Sequence, residues 1–219
     1  MSQPIPNPAR AAIFATLHGA LGRGSLDEAE RIALDQRVAH PPHHIRPTQD
    51  DDNLGRFVRK FESRAGTTQR VASLAEVPAA VEAYRQAKDL PPRVMIGAAL
   101  AGLPWPSEWE IDHGAAGKEA TLSVTPCLAG IAETGSLMLG ASPQSPTTHN
   151  FVPDDHVVVL EVGRIVAYFE DAWAALRARP EGIPRATNIV SGPSRTADVE
   201  QTIQLGAHGP RRVHVILVG

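Results

Sequence analysis

From Thr67 onward, short β-branched runs take turns with helical stretches, and no other feature of this 219-residue chain constrains its fold as tightly. Thr67–Val71 reads as a strand, Leu74–Lys88 as a helix, and Arg93–Ile96 and Ala120–Val124 as further strands. A short helix is expected from Pro126, then strands at Ser136–Leu139 and at the strongly β-branched His156–Leu160, with Ile165–Val166 extending the apolar pattern. Glu170–Ala178 reads as a helix that ends near Pro180, followed by strands at Thr187–Val190 and Val213–Val218. Strands alternating with helices predict an α/β sandwich with a largely parallel central sheet.

The preceding residues read as helix. Ala11–Leu21 carries Ile13, Phe14, Leu17 and Leu21 at helical spacing, and Gly22 and Gly24 stop it. Ser25, with Glu28 three residues later, has the form of a capping box for a second helix running to about Ala39. Prolines in HPPHHIRP then forbid regular structure and mark a boundary. The expected organisation is an N-terminal helical arm over 1–50 and an α/β domain over 51–219 that opens with a third amphipathic helix, Asp52–Ser63.

Composition narrows the function classes. Apolar residues at 42% and charged residues at 21% are ordinary for a globular protein, and a net charge of -3 supplies no global positive field for nucleic acid. No apolar run approaches the ~18 residues of a spanning helix. His18 and Gly19 break AAIFATLHGALG, which reads as an amphipathic helix rather than a signal peptide, so the cytoplasm is the default location. Cys127, the single cysteine, can form no internal disulfide and cannot hold an iron–sulfur cluster of the chain's own. No metal set emerges: His40, His43 and His44 fall in a proline-rich loop, and His149, Asp154, Asp155 and His156 lack a ligand spacing. GxxxxGK[ST], GxSxG and HExxH are absent, and the residues by themselves name no cofactor.

Open α/β sheets bind ligands beyond the carboxyl ends of their strands, where two chemically rich loops are expected. In VTPCLAGIAETGSLML, Thr125 suits an N-cap, Pro126 the first helical position and Gly135 the left-handed position past the helix end. Glu133 then falls near a helix C-terminus, where the macrodipole disfavours a negative charge by ~0.3–1 kcal/mol. That makes Glu133 a candidate catalytic residue, as general acid/base or nucleophile, with a solvated last-turn glutamate as the plainer alternative. In the second loop, strand NIV leads into SGPSRT and a helix ADVEQTIQL. Ser194 or Thr196 can cap that helix, Arg195 offers a planar donor fork for an anion, and Asp198 suits its first turn. His208 lies beyond the helix. Both an anion pocket and a capped connection satisfy this pattern.

IAETGS, PDDHVVVL, SGPSRTADVE and GAHGPRRVHVILVG resemble the LUD-domain family, through most of residues 53–219. The resemblance implies a fold like the NagB/RpiA/CoA-transferase group. It also implies a role in oxidising L-lactate to pyruvate beside two partner proteins that carry iron–sulfur clusters, and the lone cysteine agrees with a cluster-free member. It carries over motif positions Glu133, Thr134 and Gly135, then Ser191, Gly192, Ser194, Arg195, Thr196 and Asp198, then His208, Gly209 and Pro210. A glutamate closely followed by glycine also resembles CoA transferases, which keeps acyl transfer through Glu133 as an alternative. A scaffold binding a small anion without turnover is a third reading.

Overall fold

The computed structural model describes residues 8–22, 24–40, 45–49, 51–143, 145–196, 204–206 and 208–219. The chain divides into two compact units, Met1–Pro47 and Thr48–Gly219. The first contains α1 (Pro8–Leu21) and α2 (Glu28–Ala39), neither of which buries a residue. The cap of α2 is Asp27 rather than Ser25. Its side chain accepts the Glu30 N–H at 2.8 Å while the Glu30 carboxylate accepts the Asp27 N–H at 3.1 Å, so the capping box starts two residues later than Ser25–Glu28. His43 and His44 lie outside the described residues.

The second unit opens with α3 (Asn53–Glu62), capped by Asp52, whose carboxylate accepts the Gly55 N–H at 2.7 Å. Then come β1 (Thr67–Val71), α4 (Val77–Ala87), β2 (Arg93–Ile96), β3 (Glu110–Asp112), β4 (Leu122–Pro126), β5 (Ala129–Ile131) and β6 (Ser136–Gly140). After α5 (Thr148–Phe151) follow β7 (Asp155–Glu161), β8 (Ile165–Val166), α6 (Phe169–Arg177), β9 (Thr187–Val190), β10 (Arg195–Thr196), β11 (Gln204–Leu205) and β12 (Arg212–Val218). The predicted helix at 74–88 begins as a 3-10 turn over Leu74–Glu76, since Pro78 withholds an N–H from the first α-helical turn.

The central sheet has the order β1-β12-β7-β4-β2-β3, and every pairing in it is parallel. The expectation of an α/β fold with a largely parallel central sheet therefore holds. Along β7, Val157 and Val159 join the core under α4, while Val158 and Leu160 join a second core with Phe57 and Phe61 of α3. Both faces are covered, which is why the β7 and β12 sequences run apolar almost without interruption. A smaller sheet, β8-β5-β6-β9, presents Leu137 and Leu139 to that second core. Its Ala129, Ile131 and Met138 pack instead on Ala172 and Leu176 of α6.

An ion pair locks the amino ends of the two longest strands. Arg212 is the register partner of Asp155 and forks onto its two oxygens at 2.6 Å each. Asp155 is fully buried, and the Tyr84 hydroxyl of α4 donates to it at 2.7 Å. Burial first, and then this carboxylate, raise the Tyr84 pKa; the same carboxylate raises that of Arg212. The Tyr84 ring stacks on His214 of β12 at 4.8 Å between centroids.

Candidate functional site

The first predicted loop folds differently from its local pattern. Pro126 ends β4 instead of beginning a helix, the Cys127 N–H continues the ladder to the Val159 carbonyl at 2.9 Å, and β5 follows after one residue. The long-range pairing of β4 with β7 outweighs a Thr-Pro start signal that is worth about 1 kcal/mol. Glu133 thus sits in the β5–β6 turn, not at a helix C-terminus. One carboxylate oxygen accepts the N–H of Phe169, the first residue of α6, at 3.4 Å. A helix N-terminus favours a negative charge, so Glu133 does not stand against a helix dipole as expected.

The second loop also differs at its ends. Thr196 and Gln204–Leu205, expected as cap and helix, form the two-stranded antiparallel pair β10–β11 with Arg195 opposite Leu205. Ladder bonding thus takes the place of the cap at Thr196 and of the last two helical residues, while Asp198 and the rest of 197–203 lie outside the described residues. His208, expected beyond the helix, returns to the loop: its N–H donates to Ser194 Oγ at 3.4 Å. The Ser194 N–H donates to the Pro210 carbonyl at 2.9 Å, and the Gly206 N–H to the Ser194 carbonyl at 3.1 Å. Gly209 lies against Ser194 as well. Arg195 and His208 are exposed.

The fold brings the two loops together. Antiparallel pairing of β6 with β9 places Ser136 beside Ser191, and a hydroxyl chain runs from Thr134 to Ser136 at 2.7 Å and on to Ser191 at 2.6 Å. Both loops rest on the carboxyl end of α3. The Arg64 guanidinium donates to the Thr134 carbonyl. Gly135 has φ +65°, and a Cβ there would lie 2.5 Å from the Phe61 nitrogen; Gly192, at φ +121°, lies against Arg64. This contact accounts for both motif glycines by close packing, and the hydroxyl chain satisfies the motif's polar side chains internally.

A second polar seam joins β4 and β7 to α5. Thr125 Oγ1 and His156 Nε2 are 2.7 Å apart, and the Ser123 hydroxyl donates to the His149 carbonyl at 2.6 Å. Burial pushes His156 down to about 3 and lowers His149. Among the described residues no group of three or more His, Cys, Asp or Glu could hold a metal ion. Cys127 is buried, with its thiol against the Ala129 and Met138 carbonyls, and burial pushes it up to about 12.

An open cavity lies elsewhere, at a place that only strand order reveals. From β2 the chain steps outward to β3 on one side, then to β4, β7 and β12 in succession on the other. The order reverses between β2 and β4, and the crevice past the carboxyl ends at such a point is the usual ligand position in open α/β sheets. A hollow of about 240 Å³ occurs there, bounded by Ala98 and Ala99 after β2, by Pro126 of β4 and by Cys127 just beyond it. A neighbouring hollow of about 350 Å³ runs between the smaller sheet and α6. The two share Leu128, Arg164 and Arg179.

Comparison with known proteins places this architecture. The LUD domain matches residues 115–218, a span holding β4 through β12 and both motif loops. Lactate utilization protein C of Deinococcus radiodurans is 30% identical over 202 residues, which cover 86% of this chain and 90% of that one. The chain belongs to the LUD-domain family. An uncharacterized protein of Neisseria meningitidis is 34% identical over 116 residues, and lactate utilization protein C of Bacillus licheniformis 31% over 135. This LUD-domain chain spans about half the length of those two relatives, 46% and 56% respectively. The fold is shared with a crystallographically solved DUF162-family protein from Deinococcus radiodurans, at a TM-score of 0.56 and 23% identity over 79% of this chain and all of that one.

The sequence-predicted residues of this LUD-domain chain thus divide into two groups. Thr134, Gly135, Ser191, Gly192 and the Ser136 between them converge on the end of α3. Ser194, His208, Gly209 and Pro210 gather around the base of the β10–β11 pair. Sequence reading missed Arg164 and Arg179, which flank α6 in chain order and carry no motif; a basic residue on each side of one helix was the only trace.

Proposed function

We propose that this LUD-domain chain serves lactate utilization as a cluster-free cytoplasmic component, acting beside iron–sulfur partner proteins in the oxidation of L-lactate to pyruvate. The observation that carries this reading is the 30% identity, over nine-tenths of its length, to a protein named lactate utilization protein C. The buried, protonated Cys127 supports the cluster-free part, because a thiol must ionise and reach a metal to ligate it. No helix among the described residues is long and apolar enough to cross a membrane. The test is deletion of the gene followed by growth on L-lactate as sole carbon source. Loss of growth, restored by the intact gene, is expected; normal growth in a strain with no second lactate route overturns the reading. Co-purification of iron–sulfur proteins with the tagged chain examines the partners separately.

A further inference from the structure

The crevice between β2 and β4 combines three properties: position, open volume and two arginines that keep free N–H donors. Its strands end there with their carboxyl termini facing the hollow, at the point where chain order reverses. The two neighbouring hollows measure about 350 and 240 Å³, and the first falls in the ~300–1,000 Å³ range of small-molecule sites. Their shared lining is Leu128, Arg164 and Arg179. Arg164 comes from the turn after β7 and Arg179 from just beyond α6, so two separate segments converge on the same opening.

Neither arginine is consumed by the fold. Arg164 meets Glu161 through Nη2 at 2.8 Å, and Arg179 meets Glu181 through Nε at 3.4 Å. Each guanidinium has five N–H donors, so both keep donors for a ligand. Both pairs are at least one-third solvent-exposed on the arginine side, where such contacts contribute little to stability. The larger hollow is also lined by the exposed Ala175 of α6 and the half-buried Leu128, with the buried Met138, Ala172 and Leu176 in its wall. Charge and hydrocarbon in one lining define a chemistry. Inorganic phosphate would satisfy only the arginines, and an uncharged alcohol only the apolar wall.

We propose that this crevice binds a small organic carboxylate, its carboxylate group held by Arg164 and Arg179 and its hydrocarbon body lying in the slot between the smaller sheet and α6. The site is independent of the pathway reading, so growth on lactate and ligand binding can succeed or fail separately. Glu181 lines the same hollow and competes for Arg179. It acts as a resident carboxylate that the ligand displaces.

Titration calorimetry on the purified full chain, with hexanoate, hexanol and inorganic phosphate as probes, tests the assignment. Hexanoate is expected to bind saturably and the other two at least tenfold more weakly. Arg164→Gln and Arg179→Gln each weaken hexanoate by about tenfold, the loss of one charge-assisted pair. Glu181→Gln tightens it, an effect that a merely structural role for Glu181 does not produce. Ala175 lines the larger hollow at an exposed position of α6. Ala175→Leu is therefore expected to fold, and to weaken hexanoate while leaving acetate unchanged. Absence of saturable hexanoate binding overturns the proposal, as does equal binding of phosphate, or hexanoate affinity unchanged in both arginine variants that retain the wild-type circular dichroism.

Discussion

Mild acid tests the burial of two histidines in the central sheet. His156 of β7 is fully buried against Thr125, and His214 of β12 is 6% exposed, 2.8 Å from Thr67 Oγ1 and stacked on Tyr84. Burial is the main reason that His156 is pushed down to about 3 and His214 to about 4; the positive charges of His149 and Lys88 act in the same direction. In the unfolded chain each reverts to about 6.5, so below that pH the unfolded state binds more protons than the folded one. Stability is therefore whole above pH ~6.5 and falls as the pH drops toward the folded values. At pH ~5 each histidine removes about 2 kcal/mol, or about 4 kcal/mol together, a large part of the ~5–15 kcal/mol of a typical domain. Urea unfolding followed by circular dichroism, between about pH 7.5 and 5, measures this loss. His214→Phe keeps a ring against Tyr84 and removes one titrating group, so it should halve the slope. A stability curve flat across that range, or a slope unchanged in His214→Phe, refutes the reasoning.

Three further outcomes follow from the packing. Gly135→Ala is expected to cost about 2–5 kcal/mol in denaturant unfolding, since it adds left-handed strain to a Cβ overlapping the Phe61 backbone; a cost below about 0.5 kcal/mol would show that the β5–β6 turn is not clamped on α3. Arg212→Met leaves Asp155 buried with only Tyr84 as a side-chain partner and should cost about 3–5 kcal/mol, measured the same way; Asp155→Asn in the same background should recover part of the loss. Cys127, 3% exposed with a thiol pushed up to about 12, should resist a thiol reagent at pH ~8 in the native protein and react fully in denaturant; prompt native labelling contradicts its placement.

Much of this fold was legible before any tertiary contact was known. The β1, β2 and β9 spans match the sequence reading residue for residue, and β7, β12, α3 and α6 fall within a residue or two of it. β-branched runs and helical spacing act over a few neighbouring residues, and a single window of sequence records them. The positive φ of Gly135 was expected at the end of a helix that does not form, and it arises instead in the β5–β6 turn. The loop 125–135 was not legible. Thr125-Pro126 has the local signature of a helix start, but Pro126 pairs with Val159 across the sheet, and that pairing prevails.

Site geometry was further from reach. Ser136 and Ser191 touch across 55 residues of chain because β6 pairs with β9, and no local preference encodes that partner. Glu133 changed its electrostatic setting, from the end of one helix to the start of another, when its turn was placed against α6. The sequence by itself determined the alternation of elements, the continuous apolar strands and the family motifs. Tertiary structure decided the strand order, and with it the crevice where Arg164 and Arg179 converge. Strand order follows from which apolar faces are buried together, a balance struck over the whole domain rather than within any segment.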